Sequence, residues 1–201
     1  MEEVVLVNNK VAKTTISLSK NESKTIVVLF KGSSITKLDL RVELDGQGAH
    51  AQILGIIIGK GNERYTLNTY QIHKEAHTTS DLLVKGVFSG SSKLNYRGLI
   101  EIAKKAQNSN AFQQENNLVL SSDVAIDTRP ELEIEANEVR CTHAATVGQL
   151  NQDELFYLKS RGLRQKTAEK LLIAGFLQQV IDRIPAGSIR NNILKACPMI
   201  E

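Results

Sequence analysis

The run Leu38-Asp39-Leu40-Arg41-Val42-Glu43-Leu44, closed by Asp45-Gly46-Gln47-Gly48, decides the fold class. Four aliphatic side chains alternate with three charged ones, the two-residue period of a strand with one buried and one solvated face. The Asp-Gly pair that follows favours a turn. Working outward, the same pattern recurs. Residues 51–58 form an apolar run that stops at Gly59-Lys60-Gly61-Asn62, and 64–72, 81–88, 93–102, 118–120 and 132–134 follow as further strands. Strand character thus extends from Lys13 to about His143, with Gly, Asn and Ser between the runs. Such spacing fits a sandwich, a barrel or a solenoid of strands alike, and no strict repeat separates them. Residues 103–117, rich in Ala, Gln and Asn, read as strand and loop.

After Gly148 the period changes from two to about 3.6. Asn151 is placed to cap a helix, Glu154 stands three residues on as its capping-box partner, and Leu150 with Leu155 can form the hydrophobic staple. That first helix runs to about Arg161, and Gly162 is a natural stop. A second, over 165–184, aligns Ala168, Leu172, Phe176, Val180 and Ile184, widened by Ile173, Leu177 and Ile181, before Pro185 ends it. A third segment, 188–196, offers Ile189 and Ile193. The expected division is a strand-rich domain over 1–148 and a small helical domain over 149–201. Phe156 and Tyr157 are read as core of the helical part, and Arg161 as surface.

Composition narrows the function classes. No apolar stretch approaches the roughly 20 residues of a membrane helix. The acids Glu2 and Glu3 in place of a basic start, with no apolar core of signal-peptide length before Lys10 and Lys13, argue against an export signal, so a cytoplasmic protein is expected. A net charge of +3 spread along the chain, with aromatics at 4% and no Trp, gives neither a phosphate-tracking stripe nor a base-stacking surface. Nucleic acid is therefore not an expected partner. Two cysteines, Cys141 and Cys197, are too few to staple a chain of 201 residues.

Most motifs fail on inspection. The stretch from Gly55 to Gly61 lacks both the length of a phosphate loop and the Ser or Thr after its Lys60, and reads as a buried strand and turn. His73 and His77 would lie about 13 Å apart on an extended strand, too far to share a metal, and read as polar residues at a turn or strand edge. Cys141-Thr142-His143 is more informative. On a strand, positions i and i+2 point the same way, so thiol and imidazole stand side by side. They make half of a mixed sulfur and nitrogen ligand set of the kind that holds zinc, iron or iron–sulfur clusters.

A larger pattern surrounds that pair. The blocks Asn117-Leu118-Val119-Leu120-Ser121, Arg129-Pro130-Glu131-Leu132-Glu133-Ile134, Val139-Arg140-Cys141-Thr142-His143-Ala144-Ala145-Thr146-Val147-Gly148 and Leu155-Phe156-Tyr157-Leu158-Lys159-Ser160-Arg161-Gly162-Leu163 follow one another in register. Ala168, Leu171-Leu172 and Gly175-Phe176 continue them. This succession resembles the SufB/SufD family of iron–sulfur cluster assembly proteins. His77 and Lys85-Gly86-Val87 upstream look like the same family more loosely.

The resemblance implies a right-handed parallel β-helix followed by a helical domain. It implies a scaffold subunit, not an enzyme, that pairs through its β-helix with a SufB-type partner or with itself. The helical domain would dock an ABC-type ATPase, SufC, in the region of Leu155, Tyr157, Arg161, Leu172 and Phe176. Cys141 and His143 would face iron or a nascent, transient cluster at the pairing interface, shared with the partner, and this chain would bind no nucleotide. Ala144-Ala145-Thr146-Val147-Gly148 after His143 looks SufD-like, whereas SufB-type sequences carry Glu there, and no Cys precedes Cys141. Members of the family are commonly much longer than this chain. Two alternatives stand beside this reading. One is a pairing adaptor without metal chemistry. The other is a polysaccharide-acting β-helix enzyme, which would want aromatics and paired acids that the sequence lacks.

Overall fold

The computed structural model describes residues 3–8, 12–32 and 35–197, so the leader reading at Met1, Glu2 and Lys10 lies outside the described residues. Eleven strands precede three helices among them. The strands are β1 (Glu3–Asn8), β2 (Ala12–Leu18), β3 (Ser23–Lys31), β4 (Ile35–Leu44), β5 (His50–Gly59), β6 (Arg64–His73), β7 (Thr79–Phe88), β8 (Lys93–Ile102), β9 (Ser109–Val119), β10 (Ala125–Ile134) and β11 (Val139–Gly148). The helices are α1 (Gln152–Ser160), α2 (Gln165–Ile181) and α3 (Ser188–Ala196).

Odd and even strands separate into two parallel sheets. Sheet A has the order β1-β3-β5-β7-β9-β11 and sheet B the order β10-β8-β6-β4-β2. Each coil contributes one strand to each sheet, which is a parallel β-solenoid of about five turns, as the resemblance implied. Ser23 lies beside His50, His50 beside Thr79, and Thr79 beside Asn110, steps of 27, 29 and 31 residues. That drift explains why no strict repeat is visible in the sequence.

Alternation sends Leu38, Leu40, Val42 and Leu44 of β4 inward, where they meet Ile53 and Ile57 of β5, Leu82, Val84 and Phe88 of β7, and Leu94 and Tyr96 of β8, all buried. Phe30 and Tyr65 stack across this interior with ring centroids 5.9 Å apart. The corners are set by left-handed residues. Asn21, Gly48, His77 and Asn108 occupy one corner, each with positive φ, and the amides of Asn21, Gly48 and His77 donate to Gln47, Ala76 and Gln107 of the next coil. The parallel ladder therefore continues through the turn. His77, expected at a strand edge or turn, is this corner residue.

The two sheets differ on their outer faces. Along β8, buried positions alternate with exposed or half-buried ones, because the outside of sheet B is solvated. The β5 strand is buried almost throughout. Its outward residues Leu54, Ile56 and Ile58, with Val27, Leu83 and Val87, pack against Ile173, Leu177, Val180, Ile181, Ile184, Ile193 and Cys197 of the carboxy-terminal segment. The unbroken apolar run Ile56-Ile57-Ile58 is thus a strand covered on both sides.

Most helix boundaries agree with the sequence reading. The Asn151 Oδ1 accepts from the amides of Asp153 at 2.9 Å and Glu154 at 3.4 Å. The second helix stops at Ile181 and not Ile184, because Pro185 disfavours helical geometry in the residue before it and the chain leaves early. Residues 103–117 are loop and strand, as expected, with the loop over 103–108. Most of them belong to the eleven-residue strand β9. Its inward positions are Ser109, Ala111, Gln113, Glu115 and Asn117, so the alternation has no apolar member large enough to reveal it.

Candidate functional site at the open end of the solenoid

At the end of the solenoid opposite β1 and β2, the outermost strands are β10, paired with β8 alone, and β11, paired with β9 alone. Among the described residues nothing covers their far edges, which present unpaired backbone donors and acceptors. Register places Leu132 and Ile134 of β10 over Ile100 and Ile102, which are fully buried, yet Leu132 and Ile134 remain 39% and 40% exposed. Val147 of β11 is 50% exposed. Side chains that aim at a core are thus left open at this end. Pro130, which has no N–H to give to a ladder, stands in β10, where an edge tolerates it.

Cys141 and His143 both lie in β11. Cys141 is half-buried against the small cluster of Ile100, Ile102, Ala106, Ala111 and Ala136, and burial raises its thiol pKa. Two residues further along, His143 is exposed and stands beside Gln113 of β9, while Thr142 is exposed on the other face. Among the described residues no group of three or more His, Cys, Asp or Glu side chains is gathered to hold a metal ion. One sulfur and one nitrogen donor are therefore presented at an edge, and a full set of four needs donors from outside the described residues.

Beneath this edge the interior turns polar, a feature the sequence reading missed. Glu115 is fully buried; its Oε2 accepts from Thr128 Oγ1 of β10 at 3.0 Å, and its Oε1 accepts from Asn117 Nδ2. Burial raises the pKa of its carboxyl group. Gln113 Nε2 donates to the Gly98 carbonyl at 3.3 Å, and Tyr96 Oη bonds Thr69 Oγ1 at 2.9 Å. One coil earlier, His73 is fully buried between Thr78 Oγ1 at 2.7 Å and Ser80 Oγ at 2.8 Å, and desolvation lowers its pKa to about 4.

A second candidate surface lies on the helices. Phe156 and Tyr157, expected in the core, are 73% and 56% exposed, and Leu171 is 52% exposed. They fail to enter the core because the short α1 turns only Leu155 fully inward. Tyr157, Leu158, Leu171 and Leu172 line a shallow depression of about 400 Å³ with Asp153 and Glu154 on it, and the Arg161 guanidinium sits 5.2 Å from the Tyr157 ring centroid. Of the residues assigned to partner binding, Leu155 is buried, Leu172 and Phe176 are half-buried, and Tyr157 and Arg161 face solvent.

Fold and edge together define a parallel β-solenoid protein with an uncovered terminal coil and a helical flank. A family model described as "SUF system FeS cluster assembly, SufBD core domain" matches residues 8–176. The chain belongs to that family. It is 31% identical over 183 residues to an iron-sulfur cluster assembly SufBD family protein of Synechocystis, covering 91% of this chain and 40% of the relative. It is 28% identical over 163 residues to iron-sulfur cluster assembly protein SufD of Escherichia coli, with 81% and 38% covered. Against SufD of Bacillus subtilis the identity is 30% over 151 residues, with 75% and 35% covered. The chain therefore spans about two fifths of the length of these curated relatives. No helix among the described residues is long and apolar enough to cross a membrane.

Proposed function

We propose that the chain acts as a SufD-type scaffold subunit in iron–sulfur cluster assembly, pairing with a SufB-type subunit or a second copy through the open end of its solenoid. The observation that carries this reading is the conjunction of two unpaired edge strands with Cys141 and His143 on one of them. Edge strands offer backbone hydrogen bonds to a partner strand, and the half-open apolar positions Leu132, Ile134 and Val147 offer area to bury. Iron or the nascent cluster, the cargo of the reaction, would be held between Cys141, His143 and donors of the partner. In the same reading the apolar patch of Phe156, Tyr157 and Leu171 docks a SufC-type ABC ATPase, and the chain itself is not an enzyme and binds no nucleotide. A reducing, cytoplasmic setting keeps the two thiols available.

The test is anaerobic reconstitution with iron and sulfide beside a SufB-type partner, read by visible absorption, for the wild type, Cys141→Ser and His143→Ala. The expected result is a cluster yield lost in the variants while the paired complex still elutes intact. An unchanged yield would leave the chain as a pairing adaptor and remove the cargo role from both residues. Docking is checked separately by titrating the ATPase onto the wild type and Tyr157→Ser.

A further inference from the structure

Lys85 and Gly86 are neighbours in β7 that face opposite sides of sheet A. Lys85 points outward, into the seam with α2, and is only 4% exposed. Its Nζ donates to Gln179 Oε1 at 2.5 Å and lies 4.2 Å from the centroid of the Phe176 ring. An ammonium is kept in such a place only where it is paired, so Lys85 is a polar pin between strand and helix. Arg183, just past α2, adds an ion pair to Asp81 of the same strand.

Gly86 faces the interior. A Cβ at this position would overlap Asn117 Oδ1 and the Phe88 ring, so the Asn117 side chain lies directly against the backbone of β7. Asn117 in turn donates to Glu115, and Glu115 accepts from Thr128 of β10, the outermost strand of the opposite sheet. The contacts thus run without a gap from α2 through Lys85, Gly86, Asn117 and Glu115 to Thr128. All but the last are buried, in an interior too closely packed to absorb a displacement locally.

We propose that Lys85, Asn117 and Glu115 are positioning residues that couple the helical flank to the terminal edge, so that a displacement of α2 is felt at β10. The role this gives them in cluster assembly rests on the function proposed above: a load on the helices would alter the edge that carries Cys141 and His143. Neither Lys85 nor Glu115 touches the cargo in this arrangement. They act through the strand.

Hydrogen exchange on the intact chain tests the coupling. Lys85→Met keeps the length of the side chain and removes the pin. It is expected to speed exchange of the Ala125–Ile134 amides by about tenfold, while β4 amides keep their wild-type rates. Thr128→Val alone should do the same, and adding it to Lys85→Met should produce no further rise. Unchanged β10 exchange in Lys85→Met, or rates that multiply in the double variant, would overturn the proposal. A second arm adds the SufC-type ATPase and ATP. The wild type should then show altered β10 exchange that Lys85→Met loses although its docking affinity is unchanged, and persistence of the response in Lys85→Met would also overturn the coupling. If the ATPase fails to bind the wild type, the docking reading falls, and the first arm still decides the coupling.

Discussion

His73 and Glu115, both fully buried, respond to pH in opposite senses. The folded-state pKa of His73, about 4, lies below the ordinary imidazole value, so its contribution is fully present above about pH 6.5 and is lost as pH falls toward 4. Melting temperature should decline over that window and decline less in His73→Gln, which itself costs about 1–3 kcal/mol at pH 7.5 by loosening the bonds to Thr78 and Ser80. Parallel declines in the two proteins would refute the assignment. For Glu115 the folded pKa is raised, so the protonated form is favoured in the folded state and stability falls as pH rises through that value. Glu115→Gln should therefore melt higher than wild type at pH 8, with the gain vanishing toward pH 4, as thermal scans across pH would show. Residues differ in how much the sequence reveals of them. The common facing of Cys141 and His143 was legible because alternation alone sets it. The buried row Gln113, Glu115 and Asn117 was not, since polar residues at every second position look the same in a loop. Phe156 and Tyr157 misled for another reason: an aromatic is usually buried, whereas the short α1 turns only Leu155 fully inward.

Elements were read best where capping and turn chemistry act. Asn151 announced α1, and its side chain makes the expected bonds to Asp153 and Glu154. Asn151→Ala should cost about 1 kcal/mol, measured by urea unfolding. Strands β4 to β8 lie within three residues of their expected bounds, whereas β10, expected only over 132–134, begins at Ala125, and β9, with small and polar inward residues, was read as strand and loop. Corner geometry was hidden more deeply, because three different residue types serve one conformation at Asn21, Gly48, His77 and Asn108. For a β-branched side chain that conformation is strained. His77→Val should destabilise by about 1–3 kcal/mol while His77→Gly stays close to wild type, a contrast that chemical denaturation can resolve. Equal losses in the two variants would show that the imidazole, not the backbone, matters at this corner.

For the whole molecule, the sequence alone stopped at a choice among sandwich, barrel and solenoid, because the coil length drifts and no residue recurs at a fixed interval. The resemblance in residues 117–176 made the choice, and the two parallel sheets bear it out. One consequence follows from stacking each coil only on its neighbours. In a linear array of this kind, cohesion is a sum of nearest-neighbour terms, and each end member, β1 and β2 at one end and β10 and β11 at the other, has one such term where the interior ones have two. The coil that holds Cys141 and His143 is therefore one of the two where fraying should begin, and anything that seals that end supplies the missing term by mass action. Melting should rise with protein concentration if two copies seal each other, or with added SufB-type partner if that is the complement, and a midpoint indifferent to both would argue against pairing at this end. An end member of the stack is then the one most responsive to company, so assembly and local folding there become a single equilibrium.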